Sequence, residues 1–293
     1  MTRYAKLFRS VATRGGGALI PFAVLGDPDE EQSEAWIDRL VEAGADALEL
    51  GLPFSDPIAD GPVVQAAAQR ALAAGGSVTS RLALIGRIRS RHPTLPIGLL
   101  VYANLVVRRG VARFYANVAA AGVDSVLVAD VPLAESGPFA AAAEASGVAP
   151  VMILPPNASD ERTKEILGRG RGYTYVTARS GVTGESGLTD PALARRLEVM
   201  RALGGPPPVV GFGISGPADV RLAIAAGAAG VIVGSALLSR AAESQESALR
   251  FLASLKEATT SPPRHPVLVN QGQASLPDQA LTQRRVGDAR TSR

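Results

Sequence analysis

The segment Asp46-Ala47-Leu48-Glu49-Leu50-Gly51-Leu52-Pro53-Phe54-Ser55-Asp56-Pro57-Ile58-Ala59-Asp60-Gly61-Pro62 sets one carboxylate inside an apolar strand and a second at the end of the loop that follows. Side chains alternate along a strand, so Glu49 shares a face with Ala47 and opposes Leu48 and Leu50. An unpaired carboxylate buried on that face is costly or takes up a proton, and a chain seldom keeps one there without use. Asp60 lies in different surroundings, at the close of a Pro- and Gly-rich loop. Two carboxylates held in unlike environments suggest acid/base chemistry.

Working outward, similar strand-like runs recur along the chain, at residues 18–24, 47–50, 97–102, 125–129, 150–154, 173–177, 209–212 and 230–233. Stretches of helical period separate them, such as residues 30–43, with Trp36, Leu40 and Val41 on one face, and residues 218–226. Eight alternating units in this length predict an α/β fold of the (β/α)8 TIM-barrel type, with an additional N-terminal helix, over residues 1–260. A doubly wound open sheet is the competitor. It is disfavoured because no G-x-G-x-x-G follows the first strand and no composition break divides the chain. A repeated theme, Ala43-Gly44-Ala45, Ala121-Gly122-Val123 and Ala226-Gly227-Ala228, puts Gly after a helix and before a strand, as a helix C-terminal cap does.

The chain of 293 residues has no cysteine, which excludes disulfides, thiolate nucleophiles and Cys-based zinc or iron–sulfur sites. The N-terminal residues lack the apolar core of a signal peptide, and no later segment is apolar for long enough to span a membrane, so a cytoplasmic protein is expected. The formal charge of +3 belongs to residues 261–293, which carry five arginines and two aspartates; the remainder is balanced. That segment, rich in Pro, Gln, Ser and Arg, is expected to be a disordered basic tail and not a nucleic-acid site.

In a barrel the active site lies at the C-terminal ends of the strands. The candidates there, besides Glu49, are Phe22, Leu100, Tyr102, Leu127, Ala129, Ile153, Tyr175, Phe212 and Ile232, which together predict a largely apolar pocket. Gly211-Phe212-Gly213-Ile214-Ser215 after the seventh strand, Gly234-Ser235-Ala236 after the eighth and Ser180-Gly181-Val182-Thr183-Gly184 after the sixth suit a phosphate held by backbone N–H groups. Only three lysines occur, Lys6, Lys164 and Lys256, none at a strand end, which argues against Schiff-base chemistry. Of the two histidines, His265 is in the tail and His92 lies at the opposite end of the barrel. Histidine-ligated metal and Ser–His catalysis are therefore disfavoured, and a generic phosphosugar isomerase lacks its His or Lys electrophile. Paired Asp/Glu chemistry on a phosphorylated, mostly apolar substrate remains.

Residues 48–61, Tyr102-Ala103-Asn104, Asp124-Ser125-Val126-Leu127-Val128-Ala129-Asp130-Val131-Pro132, Arg179-Ser180-Gly181-Val182-Thr183-Gly184 and Gly211-Phe212-Gly213-Ile214-Ser215 resemble, in order, the motifs of the tryptophan synthase α subunit family. The resemblance covers roughly residues 4–258. It implies retro-aldol cleavage of indole-3-glycerol phosphate to indole and glyceraldehyde 3-phosphate, with no metal and no cofactor in this chain. By the same resemblance, Glu49 is the general acid/base at C3 and the side-chain hydroxyl, and Asp60 holds the indole N–H and stabilises the indolenine cation. Glu49 is expected to have a raised pKa, and Asp60, in a polar loop, to stay ionised.

The family's pattern also marks Tyr175 as a partner of Glu49, Thr183 as a substrate-loop residue, and Gly184, Gly213, Gly234 and Ser235 as phosphate-binding. It places Pro53, Phe54, Asp56, Asn104 and Pro132 against a pyridoxal-phosphate-dependent β subunit in an α2β2 complex, to which indole is channelled. Residues 185–190 depart from the pattern, as do Arg108-Arg109 beside the implied interface. A stand-alone indole-releasing lyase and a catalytically silent regulatory partner of the β subunit are the competing readings.

Overall fold

The computed structural model describes residues 1–177, 191–211 and 213–260, and its strands are all parallel neighbours. The predicted alternation of faces is realised: Leu19, Leu48, Leu50, Val126, Val210 and Val231 pack outward against helices, while Ile20, Ala47, Leu127, Tyr173, Val209 and Ile232 pack inside the barrel. The strands are β1 (Ala18–Val24), β2 (Leu48–Gly51), β3 (Ile97–Val101), β4 (Ser125–Val128), β5 (Ala149–Pro150), β6 (Met152–Leu154), β7 (Thr174–Val176), β8 (Pro208–Val210) and β9 (Gly230–Val233). They lie in the spatial order β5-β4-β3-β2-β1-β9-β8-β7-β6.

The fifth barrel position, read as one run from 150 to 154, is broken in two. Pro150 has no N–H to offer a neighbour, and β5 pairs only with β4 while β6 pairs only with β7. Continuity is kept by Val151, whose N–H donates to the Val126 carbonyl at 2.9 Å, and by Arg171, whose N–H donates to Pro150 at 2.8 Å. One kinked segment thus closes the barrel. The third strand ends one residue earlier than its apolar run, because Tyr102 turns out of the sheet to begin helix Ala103–Val107.

The Ala-Gly-Ala theme is structural, as its position suggested. Gly44, Gly122 and Gly227 have φ of 102°, 83° and 105°, the left-handed conformation that ends a helix without a Cβ penalty. Two of the three repeats add an aspartate that ties adjacent strands together. Asp46 accepts the Leu19 N–H at 2.8 Å and an ion pair from Lys256, and Asp124 accepts the Ile97 N–H at 2.8 Å together with Arg3 and Arg89. In the third repeat Ala229 takes that place.

The additional N-terminal helix, α1 (Arg3–Thr13), lays Tyr4, Phe8 and Val11 into the interior cluster at this same end of the barrel. Tyr4 shares a hydrogen bond of 3.0 Å with Ser125 and tilts its ring against Tyr173, 5.4 Å between centroids. The helix thus fills that end of the barrel's interior. Among the described residues no helix is long and apolar enough to cross a membrane.

Candidate active site

Strand alternation brings Glu49 into the barrel interior, where it is 2% exposed. Its strand neighbours at the same level are Phe22 and Gly98. Gly98 leaves room there: a Cβ would stand 3.0 Å from both the Tyr4 hydroxyl and the Ser125 Oγ, which would have to give way slightly. The Tyr173 hydroxyl donates to Glu49 Oε1 at 2.8 Å. Burial raises the Glu49 pKa from 4.5 to about 7; the Tyr173 hydrogen bond opposes the rise, and the nearby Asp60 charge adds to it. The carboxyl can therefore hold or release a proton near neutrality.

This shift has a consequence for stability. Between about pH 4.5 and about pH 7 the folded chain keeps a proton that the unfolded chain has released. The contribution of Glu49 to stability is thus full below that window and is lost as pH rises through it. Urea denaturation at pH 8 is expected to find Glu49→Gln roughly 2 kcal/mol more stable than wild type, with the difference vanishing near pH 4. Equal stability of the two proteins at both pH values would contradict the raised pKa.

The sequence reading assigned the Glu49 partner to Tyr175. A hydrogen bond to Glu49 comes from Tyr173, two residues earlier and just before β7, while Tyr175, whose hydroxyl donates to the Gly211 carbonyl at 3.0 Å, also feels the Glu49 charge. Gly211 is required beside it, since a Cβ would fall 2.0 Å from Tyr175 Cζ. Because the Tyr173 bond favours the carboxylate form, Tyr173→Phe should move the titration of a 13C-labelled Glu49 carboxyl to higher pH. An unmoved NMR midpoint would show that the bond does not act on Glu49.

Above Glu49 lies a cavity of about 300 Å³, lined by Glu49, Asp60 and, from the predicted set, Phe22, Leu100, Leu127, Ala129, Ile153, Tyr175 and Ile232. Gly213, Gly234 and Ser235 line it too, so the predicted phosphate positions share one cavity with the carboxylates. Thr183, Gly184, Phe212 and the loop 183–190 lie outside the described residues, as does the tail 261–293. Val63, Val64, Ser239 and Arg240 also line the cavity. The sequence reading did not single them out, because on helices they read as ordinary face residues.

Tyr102 is a correction. It does not line the cavity but stands behind it, 1% exposed, with its hydroxyl accepting the Ala59 N–H at 3.1 Å and bonded to the Asp60 carboxyl. Its ring stacks on Phe54 at 5.2 Å. The expectation of a polar setting for Asp60 is corrected with it. The carboxyl is partly buried, and desolvation pushes its pKa up, against the Tyr102 hydrogen bond.

The two helix N-termini at the glycine-rich end are not alike. Helix α10 (Pro217–Ala225) is closed by its own Asp219, whose Oδ2 accepts from the Ser215 N–H, the Ser215 hydroxyl and the Gly216 N–H at 2.6–3.0 Å. Helix α11 (Ser235–Glu243) begins at Gly234, and among the described residues it has no side-chain cap and the buried Ser235 hydroxyl has no hydrogen-bond partner. An uncapped N-terminus with free first-turn N–H groups is a ready anion site. In the seventh-strand loop the Ser215 and Gly216 N–H groups are thus taken by Asp219, while at α11 the first-turn N–H groups of Ser235 and Ala236 point at the start of the helix without a cap among the described residues.

The loops expected to face a partner adjoin one another. Phe54 stacks on Tyr102, and the Ala103 N–H donates to Asp130 at 2.7 Å, which ties the loops after β2, β3 and β4 together. Asp56, Asn104 and Pro132 are exposed on them, and Pro53 and Phe54 are half-buried. The loops also carry two exposed apolar side chains, Ile58 and Val107.

The model of the family described as tryptophan synthase alpha chain matches residues 8–262. Curated alpha chains from Serratia proteamaculans and Shewanella amazonensis are each 50% identical, covering 88% and 87% of this chain and 99% and 96% of their own lengths. Among solved structures, Mycobacterium tuberculosis tryptophan synthase superposes with a TM-score of 0.82 at 30% identity, covering 89% of this chain and 99% of that one. The alpha subunit of Legionella pneumophila gives 0.80 at 30% identity, covering 88% and 98%. A barrel of this topology, with a buried glutamate at the second strand end and matches over nearly the whole of each relative, shows that the chain belongs to the tryptophan synthase alpha chain family, lyases that act on indole-3-glycerol phosphate.

Proposed function

We propose that Glu49 and Asp60 carry the retro-aldol cleavage of indole-3-glycerol phosphate in this chain. The observation that carries the assignment is Glu49 itself, buried at a strand end with a pKa near neutrality and facing an apolar cavity that holds a second carboxyl. The protonated Glu49 gives its proton to C3 of the indole, and Asp60 accepts the indole N–H and offsets the positive charge that appears on the ring. Glu49, now a carboxylate, takes the proton of the side-chain hydroxyl next to C3. The carbon–carbon bond breaks as the aldehyde forms, its electron pair restores the aromatic indole, and Glu49 ends protonated as it began.

The ring serves as its own electron sink, so the reaction needs no cofactor in this chain; pyridoxal phosphate belongs to the β partner. Phe22, Leu100, Leu127, Ala129, Ile153, Tyr175 and Ile232 supply the apolar surround, with Thr183 and Phe212 in the same role. Gly184, Gly213, Gly234 and Ser235 hold the phosphate. Together these residues make one cytoplasmic catalytic barrel, residues 1–260, followed by a basic tail.

The partner in this reading is the β subunit, in an α2β2 assembly that takes up indole as it is released. The solved relative from Mycobacterium tuberculosis is described as a tryptophan synthase. The adjoining loops of Pro53, Phe54, Asp56, Asn104 and Pro132, with exposed Ile58 and Val107, suit such a contact. Indole release is to be followed with and without purified β subunit. Acceleration by β supports the paired enzyme, an equal rate supports the stand-alone lyase, and no cleavage in either case leaves the silent partner.

A further inference from the structure

We propose that Arg240 is a specificity-determining residue for the substrate's phosphate, and that its charge sets which way round the substrate lies. Among the described residues lining the cavity, Glu49 and Asp60 are the carboxyls and Arg240 is the cation. Arg240 sits on α11, whose uncapped start is the open anion site, and helical side chains lean toward the N-terminus of their helix. Its own contact shows this lean: Nη1 donates to the Ala236 carbonyl at 2.9 Å, one turn back toward that start.

The guanidinium is held in place and left unneutralised. It lies 3.8 Å over the Phe251 ring of α12 (Gln245–Ala258), a stacking that fixes the plane without using the charge. Among the described residues it forms no ion pair, and one of its five N–H donors is engaged. A half-buried cation with free donors beside an uncapped helix start favours a dianion there. The need is increased by Asp219, whose carboxylate sits on Ser215 of the same lining and would otherwise repel a phosphate. The carboxyls of Glu49 and Asp60 disfavour an anion at their end of the cavity, so the charges agree on one orientation: phosphate toward α11, ring toward the acids.

This inference rests on reading the cavity as the indole-3-glycerol phosphate site, and its test separates the two. Steady-state kinetics on the full chain with β subunit should show Arg240→Gln raising KM about tenfold or more, with kcat falling less than KM rises. Calorimetry with inorganic phosphate and with glycerol 3-phosphate should show a similar loss of affinity and a weaker dependence on salt. Arg240→Lys should recover most of both, and indole binding should not change. Unchanged phosphate affinity in Arg240→Gln would overturn the proposal, and so would an equal loss of indole binding, which would mark a packing role through Phe251. If wild type fails to cleave the substrate, the functional reading falls, while the phosphate titrations still decide Arg240.

Discussion

Glu49→Gln is expected to release indole from indole-3-glycerol phosphate roughly a thousandfold more slowly than wild type, or worse, a loss of about 4 kcal/mol in transition-state stabilisation. The amide keeps the size of the side chain and can accept the Tyr173 hydrogen bond, so the cavity should keep its shape. What it cannot do is give a proton to C3 and take one from the hydroxyl. A group with a pKa of about 7 is suited to both tasks at neutral pH, since neither protonation state is scarce. Initial rates with the β subunit present, alongside a denaturation curve for the variant, separate lost chemistry from lost fold. Activity within tenfold of wild type in a folded Glu49→Gln protein would sink the assignment.

Glu49 was legible as the proposed catalytic residue because two independent regularities met on it: strand alternation turned it inward, and the barrel topology put that strand end at the cavity. The same reasoning could not order residues along one face. Tyr175 on β7 and Tyr173 just before it both belong to the interior cluster, and it is Tyr173, packed against Tyr4 of α1, whose hydroxyl reaches Glu49. Tyr102 was misread for a different reason. An aromatic residue at the end of an apolar run looks like part of the strand, but here it leaves the sheet to begin a helix, so its ring turns behind the cavity. Arg240 carried no signal at all in the sequence. A charged residue in the second turn of a helix reads as solvated surface until the helix is seen to start inside the site.

The glycine-rich loops show a similar limit. After the seventh and eighth strands they look equivalent, yet Asp219 closes one helix and no described side chain caps the other. An acidic residue in the first turn of α10 is good for that helix and unfavourable for a bound phosphate. Local helix stability and ligand binding therefore compete at α10, whereas at α11 the missing cap leaves the donors free for a ligand.

Asp60→Asn is expected to lower kcat roughly a hundredfold to a thousandfold, about 3 to 4 kcal/mol, with a smaller effect on KM. The asparagine carbonyl can still accept the indole N–H, so ground-state binding is largely kept, but the charge that offsets the indolenine cation is gone. Partial burial makes that charge more effective than it would be in water. A second effect acts in the same direction. The Asp60 charge helps to raise the Glu49 pKa, so removing it leaves Glu49 a stronger acid that is less often protonated at neutral pH. The two contributions separate experimentally, because the second shifts the pH profile of kcat to lower pH and the first lowers the whole profile. A profile that shifts without falling would assign Asp60 to tuning Glu49 alone. A kcat equal to wild type at every pH would remove it from the mechanism.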